Sequence, residues 1–291
     1  MKTISKVFSC ILAFSSLLGS VEGQNRYKIW YDKPASYWEE ALPIGNGRIA
    51  AMVFGDPQLE QIQLNEETVS AGSPYQNYNE EAKAALPEMR RLIFEGKYEE
   101  AQNMAATKIL SQVGNEMPYQ TVGRLNIRYQ DHKKVSNYYR DLDISNAMTV
   151  TRYKVDGVEF TEETFASFTD QLVIRHIKSS KPGAINCELF FNTPMRDPKR
   201  SIYGKKGLRL EGITHGSRYF PGKVHYCADL DVKNKGGEVT MANDTLLSVQ
   251  GASELTLYIS MATNFVNYKD ISGDPYQRNK TYLKNAETEY D

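Results

Sequence analysis

Trp38–Gly55 reads WEEALPIGNGRIAAMVFG, and Gln63–Pro74 reads QLNEETVSAGSP. In the first, Gly45, Asn46 and Gly47 stand between two apolar flanks. Glycine and asparagine tolerate the positive φ of a tight reversal, so Leu42–Phe54 predicts a strand, a turn and a returning strand. The same pattern recurs downstream. Asp156-Gly157 is a two-residue turn signal inside Val150–Phe160, between runs rich in Val, Thr, Tyr and Phe. Residues 172–177, 185–191, 224–232, 246–249 and 255–261 are further strand-like runs, with turn chemistry at 204–207 and 234–237. In the last run Leu255, Leu257, Ile259 and Met261 share one face and Thr256, Tyr258 and Ser260 the other, the period of a half-buried strand. Many short strands without a helix after each one imply antiparallel sheets packed face to face. The expected fold is therefore mainly β: a large antiparallel two-sheet β-sandwich, or supersandwich.

One interruption is helical, near residues 79–112. There β-branched residues nearly vanish and Ala, Glu, Lys, Arg, Leu and Met take over. Leu86, Met89 and Ile93 fall on one helical face, Gly96 is placed to end the helix, and Tyr98–Leu110 reads as a second one. Pro87 limits where the first helix can begin, because proline is tolerated in the first turn and costly further in. The expectation is a helical hairpin inserted in a loop of the sandwich.

Residues Met1–Gly23 place Lys2 and Lys6 ahead of an apolar run, Val7–Leu18, followed by small residues. This is the layout of a secretory signal peptide, and the run is too short for a bilayer span. The expected location is therefore secreted or periplasmic, after cleavage near Gly23, with no membrane span. Cys10 leaves with that peptide; Cys187 and Cys227 remain, expected as two buried thiols with a disulfide as the alternative. The formal net charge is −1, and Lys and Arg are spread along the chain. Such a distribution excludes the electrostatic footprint of a nucleic-acid binder.

The residue chemistry offers no complete hydrolytic centre. Glu66 and Glu67 are neighbours in an extended segment and point to opposite faces, so they cannot jointly flank one bond. Asp141 and Asp143 share a face, but a like-charged pair of this kind reads as a solvated rim. The four histidines, His132, His176, His215 and His225, show no metal-ligand spacing. There is no GxSxG elbow, no phosphate loop and no acidic calcium loop, so neither metal nor cofactor is expected.

Six segments together resemble the opening of glycoside hydrolase family 95, the bacterial α-L-fucosidases. They are the EALPIGNG and LNEET blocks quoted above; YQTVGRLNI at Tyr119–Ile127; DLDISNAMTVTRY at Asp141–Tyr153 with EETFAS at Glu162–Ser167; and YISMATNFVNYKDISGDP at Tyr258–Pro275. Ser70 departs from the pattern, standing where the family more often has Trp. After the leader at 1–23, the resemblance implies an N-terminal sandwich over 24–280 and, at 281–291, the start of a linker to a catalytic (α/α)₆ barrel that this chain lacks. It further implies inverting hydrolysis of terminal α-L-fucosides, of the Fucα1-2Gal type, with the catalytic residues in that barrel and none here. The partners implied are a fucosylated glycan and the barrel itself.

Two roles remain for the sandwich. As a scaffold and pocket wall it would use Asn46, Arg48, Asn65, Glu66 and Thr68 at the junction, where the plainer reading is turn and packing residues. As a non-catalytic carbohydrate-binding or interaction module it would use Trp30, Tyr37 and Trp38 as a platform for a sugar ring, where the plainer reading is burial.

Overall fold

The computed structural model describes residues 27–111, 117–216 and 220–285. The leader Met1–Gly23 and residues 286–291 lie outside the described residues. Among the described residues sixteen strands carry the fold: β1 Lys28–Tyr31, β2 Leu42–Gly45, β3 Ile49–Val53, β4 Leu59–Glu66, β5 Gly123–Tyr129, β6 Val135–Asp143, β7 Met148–Val155 and β8 Val158–Ala166 in the first half. The second half holds β9 Leu172–Ser179, β10 Ile185–Asn192, β11 Lys199–Tyr203, β12 Gly207–Ile213, β13 His225–Lys235, β14 Glu238–Asn243, β15 Leu246–Ala252 and β16 Glu254–Thr263. They form a nine-stranded sheet, β1-β6-β7-β8-β9-β16-β13-β12-β11, and a seven-stranded sheet, β14-β15-β10-β5-β4-β3-β2. The named pairs are antiparallel throughout, as the turn chemistry implied.

The hairpins sit where the local residues put them. β2 pairs with β3 across Asn46–Arg48, with Gly47 at φ 97°. β7 pairs with β8 across Asp156-Gly157, whose φ values of 48° and 82° are the two positive angles of a primed turn. Between the sheets lies a single apolar core in which Ile62, Leu64, Leu125 and Ile127 of one sheet belong to the same cluster as Val173, Ile177, Leu257 and Ile259 of the other. Each such side chain contributes about 1.5–3 kcal/mol on burial.

A charged cluster is embedded in that core. Arg175 on β9 donates to Glu60 on β4 (2.7 Å) and to Glu162 on β8, so one guanidinium joins both sheets. The Tyr129 and Tyr153 hydroxyls donate to the other oxygen of Glu162 at 2.6 and 2.7 Å. Backbone N–H groups of Gly55 and Gln61 donate to Glu60, each at 2.9 Å. These bonds supply much of what a buried charge loses on leaving water. Burial, with Glu162 sharing the same cation, nevertheless pushes the Glu60 carboxyl up to about 7.

Several local expectations give way to contacts that are distant in sequence. β16 is buried on both faces, because helix α3, Pro275–Asn285, lies across its outer side. Ser260 donates to Asn279 of that helix at 2.7 Å, and Leu283 packs with Leu172, Ile174 and Tyr258. Asp141 and Asp143 are buried rather than a solvated rim. Lys28 of the neighbouring strand donates to Asp141 at 3.1 Å, and Asp143 accepts from the turn amide of Ser145 at 2.9 Å.

Within the insertion, helix α1 spans Ala82–Phe94 and runs through Pro87, and helix α2 spans Tyr98–Met104 before a π-helical turn at Ala105–Ile109. The buried side of α1 is Ala85 and Leu92, with Met89 half-buried between them, so Leu86 and Ile93 of the predicted face are exposed. Ala101 of α2 is the other buried residue, and the hairpin packs on itself rather than onto a sheet. Cys187 and Cys227 are buried free thiols, the plain alternative of the two considered. Among the described residues no helix is long and apolar enough to cross a membrane.

Candidate functional site

The reversal between β2 and β3 is held by its own asparagine. Asn46 Oδ1 accepts from the amides of Arg48 (3.0 Å) and Ile49 (2.9 Å), while its Nδ2 donates to the Ser167 carbonyl at 2.8 Å across the sandwich. That turn aims Arg48 across the rim. Its Nε donates to Gln171 Oε1 at 2.6 Å, its Nη1 to the Met261 carbonyl at 2.8 Å and, more loosely, to Glu66 at 3.4 Å. The guanidinium also lies 4.6 Å from the ring centre of Tyr282 on α3.

Glu66 ends β4 on its inward face, after Glu60, Ile62 and Leu64. Its Oε2 accepts from the Thr68 amide at 2.8 Å and the Thr68 hydroxyl at 2.6 Å, and that hydroxyl meets Thr263 at the end of β16. Burial raises the Glu66 carboxyl above its ordinary range, with Thr68 and then Arg48 offsetting part of the effect. Asn46, Arg48, Glu66 and Thr68 thus form one cluster bracing the two sheets. Asn65 does not join it: strand alternation puts it on the opposite side of β4 from Glu66.

Beyond Thr68 the chain opens a cleft of about 650 Å³, lined among others by Ser70, Tyr75, Met117, Phe265 and Tyr268. Its walls are fixed by backbone bonds from Ala71 to Pro118 (2.9 Å), from Gly72 to His215 (3.1 Å) and from Lys223 to Gly72 (2.9 Å). Gly72 has φ 85°, a left-handed conformation that favours glycine, and it packs against the Met117 side chain. Arg278 of α3 donates to the carbonyls of Thr263 and Phe265 at 2.8 and 2.7 Å, tying the opposite wall to the sheet. Tyr119 donates its hydroxyl to the Glu66 carbonyl at 3.1 Å, and burial beside that carboxylate pushes its pKa up to about 12. Ser70 lies in this lining, so the position where the resemblance has Trp faces the cleft.

Of the five junction residues, only Thr68 reaches the cleft; Asn46, Arg48 and Glu66 stand behind it. Gln171, Thr263, Phe265 and Tyr268 were missed as site residues, although the last three lie in the segment YISMATNFVNYKDISGDP quoted for the resemblance. The aromatic trio is split. Trp30, Tyr37 and Trp38 are 61%, 58% and 49% exposed, contrary to the expectation of burial. Trp30 stacks on Tyr139 with ring centres 6.2 Å apart, whereas Tyr37 and Trp38 line a second cleft of about 610 Å³.

The main cleft can enclose a ligand, but among the described residues its lining holds one carboxylate, Glu67. Glycoside hydrolysis needs an acid and a base on opposite sides of the bond. No group of His, Cys, Asp and Glu among the described residues could hold a metal ion. His132 is a packed core residue, stacked on Tyr129 at 4.5 Å with Nδ1 2.9 Å from the Pro57 carbonyl, and burial lowers its pKa.

Known proteins resemble this chain over most of its length. The model of the glycosyl hydrolase family 65 N-terminal domain matches residues 29–268. Alpha-L-fucosidase 2 of Arabidopsis thaliana is 31% identical over 261 residues, covering 82% of this chain and 30% of that protein. A probable alpha-fucosidase A of Aspergillus niger is 26% identical over 162 residues, covering 52% of this chain and 20% of its own. A putative kojibiose phosphorylase from the human microbiome aligns with a TM-score of 0.42 and 10% identity, over 91% of this chain and 36% of that one. The chain thus spans less than half the length of the relatives it matches. With a family model covering most of its length and a two-sheet sandwich of antiparallel strands, the chain belongs to the glycosyl hydrolase family 65 N-terminal domain family.

Proposed function

We propose that the chain is the N-terminal sandwich of an exported glycoside hydrolase of family 95, an α-L-fucosidase that removes terminal Fucα1-2Gal-type fucose with inversion. The leader at 1–23 carries the protein out of the cytoplasm, and a separate (α/α)₆ barrel performs the bond cleavage. The sandwich is scaffold and pocket wall: the cleft beside Thr68 faces the barrel, and the Asn46–Arg48–Glu66 cluster holds that wall rigid.

One observation carries this division of labour. Among the described residues the cleft has hydroxyl and aromatic groups suited to a sugar but a single carboxylate, Glu67, which supports a role in positioning a substrate rather than in supplying both halves of an inverting reaction. The likeness to Alpha-L-fucosidase 2 supports the choice of sugar. The test is fucose release from 2′-fucosyllactose, followed by proton NMR of the anomeric signal. The 291-residue chain alone releases none, and a polypeptide that continues into the barrel releases β-L-fucose first. Turnover by the 291-residue chain would end this reading.

A further inference from the structure

The second cleft lies away from the Glu66 corner and is built with unusual care. Its walls are two backbone segments, Lys33–Trp38 and Phe54–Asp56, with Gln61 and Arg124 from the outer side of β4 and β5. Arg140, a fully buried arginine on β6, donates Nε to the Lys33 carbonyl at 2.8 Å and Nη1 to the Glu40 carbonyl at 2.7 Å, while lying 4.1 Å from the Tyr31 ring centre. The same loop is closed by Ser36 N–H to Glu40 Oε2 at 2.8 Å and joined to the other wall by Ala35 N–H to the Phe54 carbonyl at 3.0 Å.

The other wall is pinned as firmly. Tyr138 donates to the Gly55 carbonyl at 2.6 Å, and the Gly55 amide donates to Glu60, a member of the buried charged cluster. Gly55 has φ 75°, and a Cβ there would meet the Tyr138 hydroxyl at 2.7 Å. Buried polar groups therefore reach out to both walls. What they hold in place is backbone that presents the exposed rings of Tyr37 and Trp38.

We propose that this cleft is a second carbohydrate-binding site, taking a neutral oligosaccharide whose sugar ring stacks on Trp38 and Tyr37 while Gln61 and Arg124 bond its vicinal hydroxyls. Aromatic rings held on a fixed backbone pair with the C–H face of a pyranose at little entropic cost. Arg124 is already oriented, donating Nη1 to Gln61 Oε1 at 2.5 Å with its guanidinium 5.6 Å from the Phe54 ring centre. The charges favour a neutral ligand: Lys33 is 3.7 Å from Glu40, and the lining holds Asp56 as well as Lys33 and Arg124. The site does not depend on the fucosidase reading, because it needs only sugar chemistry and not a cleavable linkage.

The chain has two tryptophans, so its indole N–H region in a ¹⁵N-correlated NMR spectrum holds two signals, assigned with a Trp30→Phe variant. Titrating the 291-residue chain with lactose and with 2′-fucosyllactose shifts the Trp38 signal saturably and leaves Trp30 in place. Trp38→Ala and, separately, Gln61→Ala weaken binding about tenfold with an unchanged melting temperature. Gln61→Ala alone decides the matter if Trp38→Ala does not fold. Absence of a shift with either sugar up to about 20 mM, or a shift confined to Trp30, overturns the proposal. Binding of both sugars without preference supports it whatever the enzyme's linkage, and fucose release by the longer polypeptide reports on the other reading independently.

Discussion

Glu60 and Glu66 sit on the same inward face of β4, six residues apart in sequence, and both find an arginine, yet the two ends of that strand behave differently. Glu60 is sealed: its arginine, Arg175, comes from the opposite sheet, and neither side chain has any exposure. Glu66 is at the rim: its arginine, Arg48, comes from the adjacent hairpin, keeps 19% side-chain exposure and spends its best bonds on Gln171 and a backbone carbonyl. The first arrangement is a cross-sheet clamp that works only as a complete set. The second is a loose brace beside an open cleft, where solvent can replace a lost partner.

Removing the arginine at each end separates the two. Measured above about pH 7, where Glu60 is ionised, Arg175→Met leaves two carboxylates buried without their cation, so it should cost about 3–5 kcal/mol in chemical denaturation. A loss below about 1 kcal/mol would show that the clamp is not charged in the native protein. Acidity probes the same difference. The folded chain keeps on Glu60 a proton that the unfolded chain has released, its pKa being raised from 4.5 to about 7. The associated stability is complete below pH 4.5 and is lost as pH rises to about 7, with a slope no steeper than about 1.4 kcal/mol per pH unit. Glu66, shifted in the same direction, adds to that trend. Glu60→Gln should flatten the profile; a flat profile in the unaltered chain would mean that Glu60 stays ionised throughout. The smallest effect belongs to the rim. Arg48→Ala should cost about 1–2 kcal/mol, and a loss equal to that of Arg175→Met would erase the distinction between clamp and brace.

What could be read from the sequence was what short-range chemistry decides. The Gly45–Gly47 and Asp156-Gly157 hairpins follow from residues that tolerate positive φ, and β16 follows from strict alternation. What could not be read depends on partners distant in the chain. Asp141 looked solvated because Lys28 lies 113 residues away in sequence. The second face of β16 looked exposed because α3 is separate from the strand pattern. Leu86 and Ile93 illustrate a phase error: the helix turned toward its hairpin partner through Ala85 and Leu92 instead. At the candidate site Asn46, Arg48, Glu66 and Thr68 were legible as a group, whereas Asn65 was not separable from them without knowing which face of β4 is inward. The exposure of Tyr37 and Trp38 was hidden for a related reason: the arginine that holds their loop open arrives about a hundred residues later, from β6.

The helical hairpin has a consequence for how the molecule breathes. Because α1 and α2 bury little beyond Ala85, Leu92 and Ala101 and lean mainly on each other and the π-helical turn, their opening need not disturb the sheets. In deuterium exchange the amides of residues 82–109 should be labelled through cheap local fluctuations, while those of β9, β13 and β16 wait for global unfolding. A protease would therefore nick the insertion long before the sandwich loses its integrity.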